Sequence, residues 1–201
     1  MSLIVAAFML LSSAGPAQGA VPQDSIASVA IRNLIRDAAR DSTAVLRFWQ
    51  ELERTGTPLV EANPGDSTVR LVTFVWKETE PLDKVAVITP HSLIDVELGR
   101  MRHVPGTDVW YRSYLMRSDA RMVYRFGPDD NMVPFTRDRN LIERMNGWQL
   151  DPLNAQAWTF GDGTRVSVLS LAGPSAHMMV DPQSAARDLD GRRRVRWAHG
   201  H

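Results

Sequence analysis

The chain has 201 residues, 44% of them hydrophobic, and 23 Lys and Arg balance 23 Asp and Glu. That is room for one globular domain burying roughly 70% of its unfolded surface, and zero net charge leaves no whole-chain field to draw it to nucleic acid or an anionic membrane. Cysteine is absent, which excludes disulfides, thiolate metal sites, a cysteine nucleophile and an acylated cysteine anchor.

Residues 1–20 have the layout of a secretory signal peptide. The uncharged run Leu3-Ile4-Val5-Ala6-Ala7-Phe8-Met9-Leu10-Leu11 leads through Ser12 to Pro16 into the small-residue segment Ala17-Gln18-Gly19-Ala20. The run falls short of the roughly 20 apolar residues a transmembrane span needs. Cleavage after Gly19 or Ala20 and a periplasmic or secreted mature protein, without a membrane span, are therefore expected. The segment carries no Lys or Arg, so a misplaced start or a buried helix stands as the alternative.

Residues 24–56 are expected to be helical and to pack on the rest. Asp24 or Ser25 can cap a helix with apolar positions at Ile26, Val29, Ala30, Leu34 and Ala38, and Asp41 or Ser42 can cap a second. In that second helix Val45, Phe48, Trp49 and Leu52 form one stripe, and Gly56 sits where a left-handed cap would end it. The stripe places Phe48 and Trp49 in the core, with ligand stacking by Trp49 as the alternative.

The period changes after residue 65. Val69 to Trp76 is rich in β-branched and aromatic residues between turn formers. Val85 to Ile88, Val109 to Leu115, Arg121 to Phe126 and Arg165 to Leu171 read as further strands, with a short helix over Arg137 to Met145. Short strands without intervening helices predict a mainly β fold, an antiparallel sandwich over residues 57–172. Residues 173–201 read as a linker and tail.

Six landmarks then fall in one order: Phe48-Trp49-Gln50-Glu51, Gly56-Thr57-Pro58-Leu59-Val60-Glu61, Val72-Thr73-Phe74-Val75-Trp76-Lys77, Gly106-Thr107-Asp108-Val109-Trp110-Tyr111, Arg121-Met122-Val123-Tyr124-Arg125-Phe126 and Asp151-Pro152-Leu153-Asn154. In this order the chain, over residues 40 to 172, resembles the N-terminal domain of enterochelin (ferric enterobactin) esterases. The resemblance implies an immunoglobulin-like β-sandwich preceded by one or two helices and placed before an α/β-hydrolase domain. It also implies a tri-catecholate siderophore, ferric enterobactin or a relative, as ligand. Leu189 to Trp197 is similar to the opening strand of that hydrolase domain; a solvated tail is the alternative. The family's best-known members act in the cytoplasm, which stands as the alternative localisation.

Ester hydrolysis on that scaffold needs a serine elbow, Gly-x-Ser-x-Gly, with an acid and a histidine later in the chain, and the sequence contains no such motif. Its nearest string, Gly173-Pro174-Ser175-Ala176-His177, places a proline before the serine and reads as linker. No catalytic residue is therefore expected. The expected role is an accessory domain of an enterochelin-esterase-type hydrolase, working with a hydrolase domain or chain. Two alternatives remain: a secreted module binding a catecholate or a carbohydrate, and a non-functional truncated product.

The candidate siderophore contacts are Trp110, Arg112, Arg121 and Tyr124, because arginines and aromatics suit a large anionic aromatic ligand. Asp108 and Tyr111 belong to the same stretch. Strand alternation sets Trp110 and Arg112 on the face opposite Tyr111, and the competing reading puts Trp110 in the core and Asp108 in a turn. His199 and His201 alone are close enough in sequence to share a metal, and two ligands make a weak site. No metal and no cofactor are expected.

Overall fold

The structure, a computed structural model, describes residues 28–171. The signal peptide, the Asp24 and Ser25 caps, and the whole linker and tail over 173–201, with the Ser175/His177 string and the His199/His201 pair, lie outside the described residues.

Helix α1 spans Val29–Ala38 and α2 spans Ala44–Thr55. The cap of α1 is Ser28, whose Oγ accepts from Ile31 N at 3.4 Å. Thr43 occupies the cap position of α2, but its side chain makes no capping bond to the helix backbone. Asp41 instead closes the preceding turn, accepting from Thr43 N and Thr43 Oγ1 at 2.8 Å each. Gly56 ends α2 at φ 81°, a left-handed conformation that a side chain would strain.

Eight strands follow: β1 (Leu59–Ala62), β2 (Val69–Lys77), β3 (Val85–Ile88), β4 (Arg102–His103), β5 (Val109–Arg117), β6 (Arg121–Pro128), β7 (Ala157–Thr159) and β8 (Arg165–Ser170). A short helix, α3 (Pro90–Ile94), leaves β3, and another, α4 (Leu141–Asn146), lies between β6 and β7. The expected helix over Arg137 to Met145 is thus split, because Phe135–Arg137 forms a separate 3₁₀ turn before α4.

All pairings are antiparallel, in two four-stranded sheets of order β1-β2-β5-β4 and β3-β6-β8-β7. With β1 to β6 and β8 lettered A to G in chain order, this is the ABED-on-CFG arrangement of immunoglobulin-type sandwiches; β7 is an added edge strand beside β8. The expected mainly β sandwich is the observed fold.

Alternation divides each strand between two environments. Val72, Phe74, Trp76, Trp110 and Tyr114 of the first sheet face Val85, Val87, Tyr124, Phe126 and Leu169 of the second, making the main core. Phe74 packs edge-on to Tyr124 at 4.7 Å between ring centroids. Burying each such ring contributes roughly 1.5–3 kcal/mol. The other face of the first sheet carries Val75 and Val109, which pack beneath α1 and α2 through Ile31, Leu34, Trp49 and Leu52.

The segment 129–149 covers the β3 and β6 half of the second sheet's outer face. There Trp148, Met132 and Phe135 pack over Ala86 and Ile88. Gly127 makes this possible, since a Cβ there would lie 3.3 Å from Trp148 Cδ1 and 3.0 Å from Asp130 Oδ2.

Candidate functional site

The Gly106-Thr107-Asp108 stretch forms the turn from β4 into β5. Gly106 takes φ 73°; Thr107 N and Thr107 Oγ1 both donate to Val104 O, at 3.1 and 2.8 Å. The turn holds Asp108 at one wall of a cleft of about 490 Å³, whose other walls are Val45 of α2 and residues Glu78 to Pro81 after β2.

Two indoles fix the carboxylates of this cleft. Trp49 Nε1 donates to Asp108 Oδ1 at 2.7 Å, and Trp110 Nε1 donates to Glu78 Oε2 at 2.6 Å. The backbone joins the same two positions, Glu78 N donating to Asp108 O at 2.8 Å. His103 packs on Trp110 at 4.8 Å between rings, with Nε2 2.7 Å from Thr107 O and 3.5 Å from Glu78 Oε2. Each indole N–H therefore spends its only donor on a structural acid, and with Glu80 the rim is acidic. An anion would meet repulsion here rather than attraction.

A second polar cluster lies inside the sandwich. The buried Asp151 carboxylate accepts from Thr57 Oγ1 at 2.8 Å, Tyr124 Oη at 2.7 Å and Leu153 N at 3.0 Å. Asn154 Nδ2 donates to Tyr124 Oη at 2.8 Å and to Val168 O at 2.9 Å. Burial raises the Asp151 pKa above its ordinary range, working against the Tyr124 and Thr57 hydrogen bonds. Burial also raises the Tyr124 phenol, reinforced by the Asp151 charge. Thr57 Oγ1, Tyr124 Oη and Leu153 N all donate to the one carboxylate, so the cluster ties the Gly56 to Glu61 and Asp151 to Asn154 segments together.

The four predicted contact residues are dispersed. Trp110 is 8% exposed and faces the core, while Tyr124 has no exposed surface. Arg112 shares the inward face of β5 with Trp110 and Tyr114, its guanidinium carbon 5.6 Å from the Tyr114 ring. Arg121 is exposed at the start of β6, opposite Ser170 on the outward face of the other sheet. Tyr111 packs under the helices, as alternation predicts.

Among the described residues no group of three or more His, Asp or Glu could hold a metal ion, and no helix is long and apolar enough to cross a membrane. The two described histidines, His91 and His103, have no serine hydroxyl among their hydrogen-bond partners. Sequence reasoning did not assign Glu78 or His103 to this cleft. Their signal was weak, since each is one polar residue beside a strand end.

Fold and site together define an immunoglobulin-type sandwich with a helical cover, whose described residues assemble no nucleophile beside a base. The sequence family described as enterochelin esterase, N-terminal, matches residues 71–179, from within β2 to past β8, and the chain belongs to that family. It is 33% identical over 167 residues to the iron(III) enterobactin esterase of Dickeya dadantii (strain 3937), covering 71% of this chain and 35% of that protein. It is 34% identical over 91 residues to the iron(III) salmochelin esterase of Escherichia coli O6:H1, covering 44% of this chain and 22% of that one. The ferric enterobactin esterase of Salmonella typhimurium overlays with a TM-score of 0.47 at 27% identity, over 62% of this chain and 36% of that chain. The Shigella flexneri enterobactin esterase, solved in the presence of 2,3-dihydroxy-N-benzoyl-serine, gives 0.45 at 27% identity, over 62% and 34%. The chain spans about a third or less of the length of the relatives it matches.

Proposed function

We propose that this chain is the accessory sandwich of an enterochelin-esterase-type hydrolase, not catalytic by itself, which takes part in handling a catecholate siderophore for a hydrolase domain or partner chain. The match of residues 71–179 to the family's N-terminal region carries the reading. It is supported by the relatives' names, which assign them iron(III) enterobactin and iron(III) salmochelin esterase activity, and by the lack of a serine elbow in the sequence. Of the four candidate contacts, Arg121 is exposed where a surface ligand can reach it, whereas Trp110, Arg112 and Tyr124 lie on the inward faces of the sandwich. The apolar run in residues 1–20 supports export, so the reading includes a periplasmic or secreted site of action, and N-terminal sequencing of the protein recovered from cells tests that part.

The central test has two arms. The purified chain is expected to hydrolyse neither enterobactin nor nitrophenyl esters, and to bind ferric enterobactin saturably. Turnover that Ser175→Ala abolishes would overturn the assignment, and the absence of any binding would remove the siderophore.

A further inference from the structure

Residues 129–149 form a strap across the outer face of the second sheet, and the two ends of the strap meet. Phe126 N donates to Gln149 O at 2.8 Å, and Gln149 N donates back to Phe126 O at 2.7 Å. Beside them Asp129 N donates to Lys84 O at 2.7 Å, and Asp129 Oδ1 accepts from Asp83 N at 2.9 Å. A loop closed at its base in this way can swing about that base with few changes of backbone angle.

Between its ends the strap is braced to itself. Arg144 donates to Asp130, Asp138 and Val133 O, Trp148 Nε1 donates to Asp130, and Asn131 Nδ2 donates to Asp138 at 3.1 Å. The Arg144 guanidinium also lies over the Phe135 ring. None of these contacts crosses to the sheet. The surface turned toward the sheet is apolar, with Met132, Phe135, Met145 and Trp148 packed over Ala86 and Ile88. Such contact is non-directional and can be given up as a whole.

Two features oppose closure. Asp129 and Met132 take φ 50° and 56°, in the left-handed region where a side chain costs backbone energy. Arg125 reaches the strap through one long bond, 3.4 Å from Nη1 to Met145 O, while its Nε is buried and has no acceptor. Burial lowers the Arg125 pKa, so covering this guanidinium costs desolvation that water would return.

We infer that residues 130–148 are a flap that opens as one braced unit about its base at Asp129 and Gln149, baring Ala86 and the Arg125 guanidinium to water while the sandwich stays folded. Opening gives up the apolar contact and the Met145 bond, and the Arg144 pairs travel with the flap. The device is independent of the siderophore reading, and it gives this face of the second sheet a covered and a bare state.

Single cysteines report the opening cleanly, because the chain has none of its own. Ala86 lies beneath the flap and Val87, next to it on β3, faces the sandwich core; both are wholly buried. Under native conditions, full-length Ala86→Cys is expected to react with dithionitrobenzoate at least about tenfold faster than Val87→Cys, which waits for global unfolding. Met132→Cys, on the underside of the flap, is expected to outpace Val87→Cys likewise, and gives the reading should Ala86→Cys fail to fold. Arg125→Met keeps an apolar stem and removes the desolvated charge, and is expected to slow labelling at the flap position roughly threefold or more. Flap positions that react no faster than Val87→Cys would overturn the flap, and so would labelling that Arg125→Met leaves unchanged or accelerates.

Discussion

Trp49 and Asp108 are joined by a 2.7 Å hydrogen bond from the indole Nε1 to the carboxylate, which fastens α2 to the turn that starts β5. Trp49 is 4% exposed and packs with Leu52 over Val75 and Val109, so the bond ends a buried apolar contact in one charged acceptor. Lys77 completes the arrangement, its ammonium 5.3 Å from the Trp49 ring centroid.

Removing the acceptor should therefore loosen the helical cover. Asp108→Ala is expected to lower stability by roughly 1.5–3 kcal/mol, the cost of losing a hydrogen bond to a charged group. Trp49→Phe keeps much of the ring and loses the donor, and should cost a similar amount. In the double variant the losses should fall well short of additive, because both delete the same bond. Urea unfolding of the three variants checks this, and additive losses would show that the two residues act independently.

Asp151 provides a pH signature. Burial raises its pKa in the folded state, so the folded protein holds this proton more tightly than the unfolded chain does. The stability it contributes is fully present below the unfolded value of about 3.9, and is lost as pH rises through the folded value. The stability of the wild type relative to Asp151→Asn should accordingly increase as pH falls from about 7 to about 4. Melting temperatures across that range read the difference, and a flat difference would mean that hydrogen bonding from Thr57 and Tyr124 cancels the burial.

The same Asp151 shows where the sequence is legible and where it is not. The long strands β2, β5 and β6 announce themselves by composition and alternation over eight or nine residues. Strands β1, β4 and β7 have four, two and three residues, too few to display a period, and pairing with a longer neighbour creates them. The Gly56 to Glu61 and Asp151 to Asn154 segments are recognisable as motifs, yet the bond between Thr57 and Asp151 spans 94 positions and has no local signal. Glu78 and His103 look like single polar residues beside strand ends, and only the pairing of β4 and β2 with β5 brings them to the Trp110 indole.

The tyrosines extend the pH argument to alkali. Burial raises the Tyr114 phenol, despite the opposing Arg112 charge, and burial and the Asp151 charge raise Tyr124. Folded-state stability from both groups is present below the ordinary phenol value of about 10 and lost as pH rises toward the raised values. In a near-UV absorbance titration, two of the three tyrosines should stay protonated past about pH 10 while the protein remains folded, then ionise together as it unfolds. Ionisation of Tyr124 ahead of unfolding would show that water reaches the core at Asp151.

The last prediction concerns the segment over the second sheet. Arg144 reaches Asp130 with Nε at 2.9 Å and with Nη2, and Asp138 at 3.0 Å and Val133 O at 2.7 Å with Nη1. Its guanidinium lies 4.2 Å from the Phe135 ring centroid, and the Arg144 and Asp130 side chains are 5% and 0% exposed. Trp148 Nε1 adds a further donor to Asp130 at 3.2 Å. Arg144→Met leaves the Asp130 charge buried without its cation, and should cost roughly 3–5 kcal/mol. Asp130→Asn in the same background removes that charge while keeping a polar partner for Trp148, and should restore part of the loss. Chemical unfolding of the single and double variants measures both. A double variant no more stable than Arg144→Met would mean that Arg144 holds segment 129–149 through Val133, Asp138 and Phe135, rather than by neutralising Asp130.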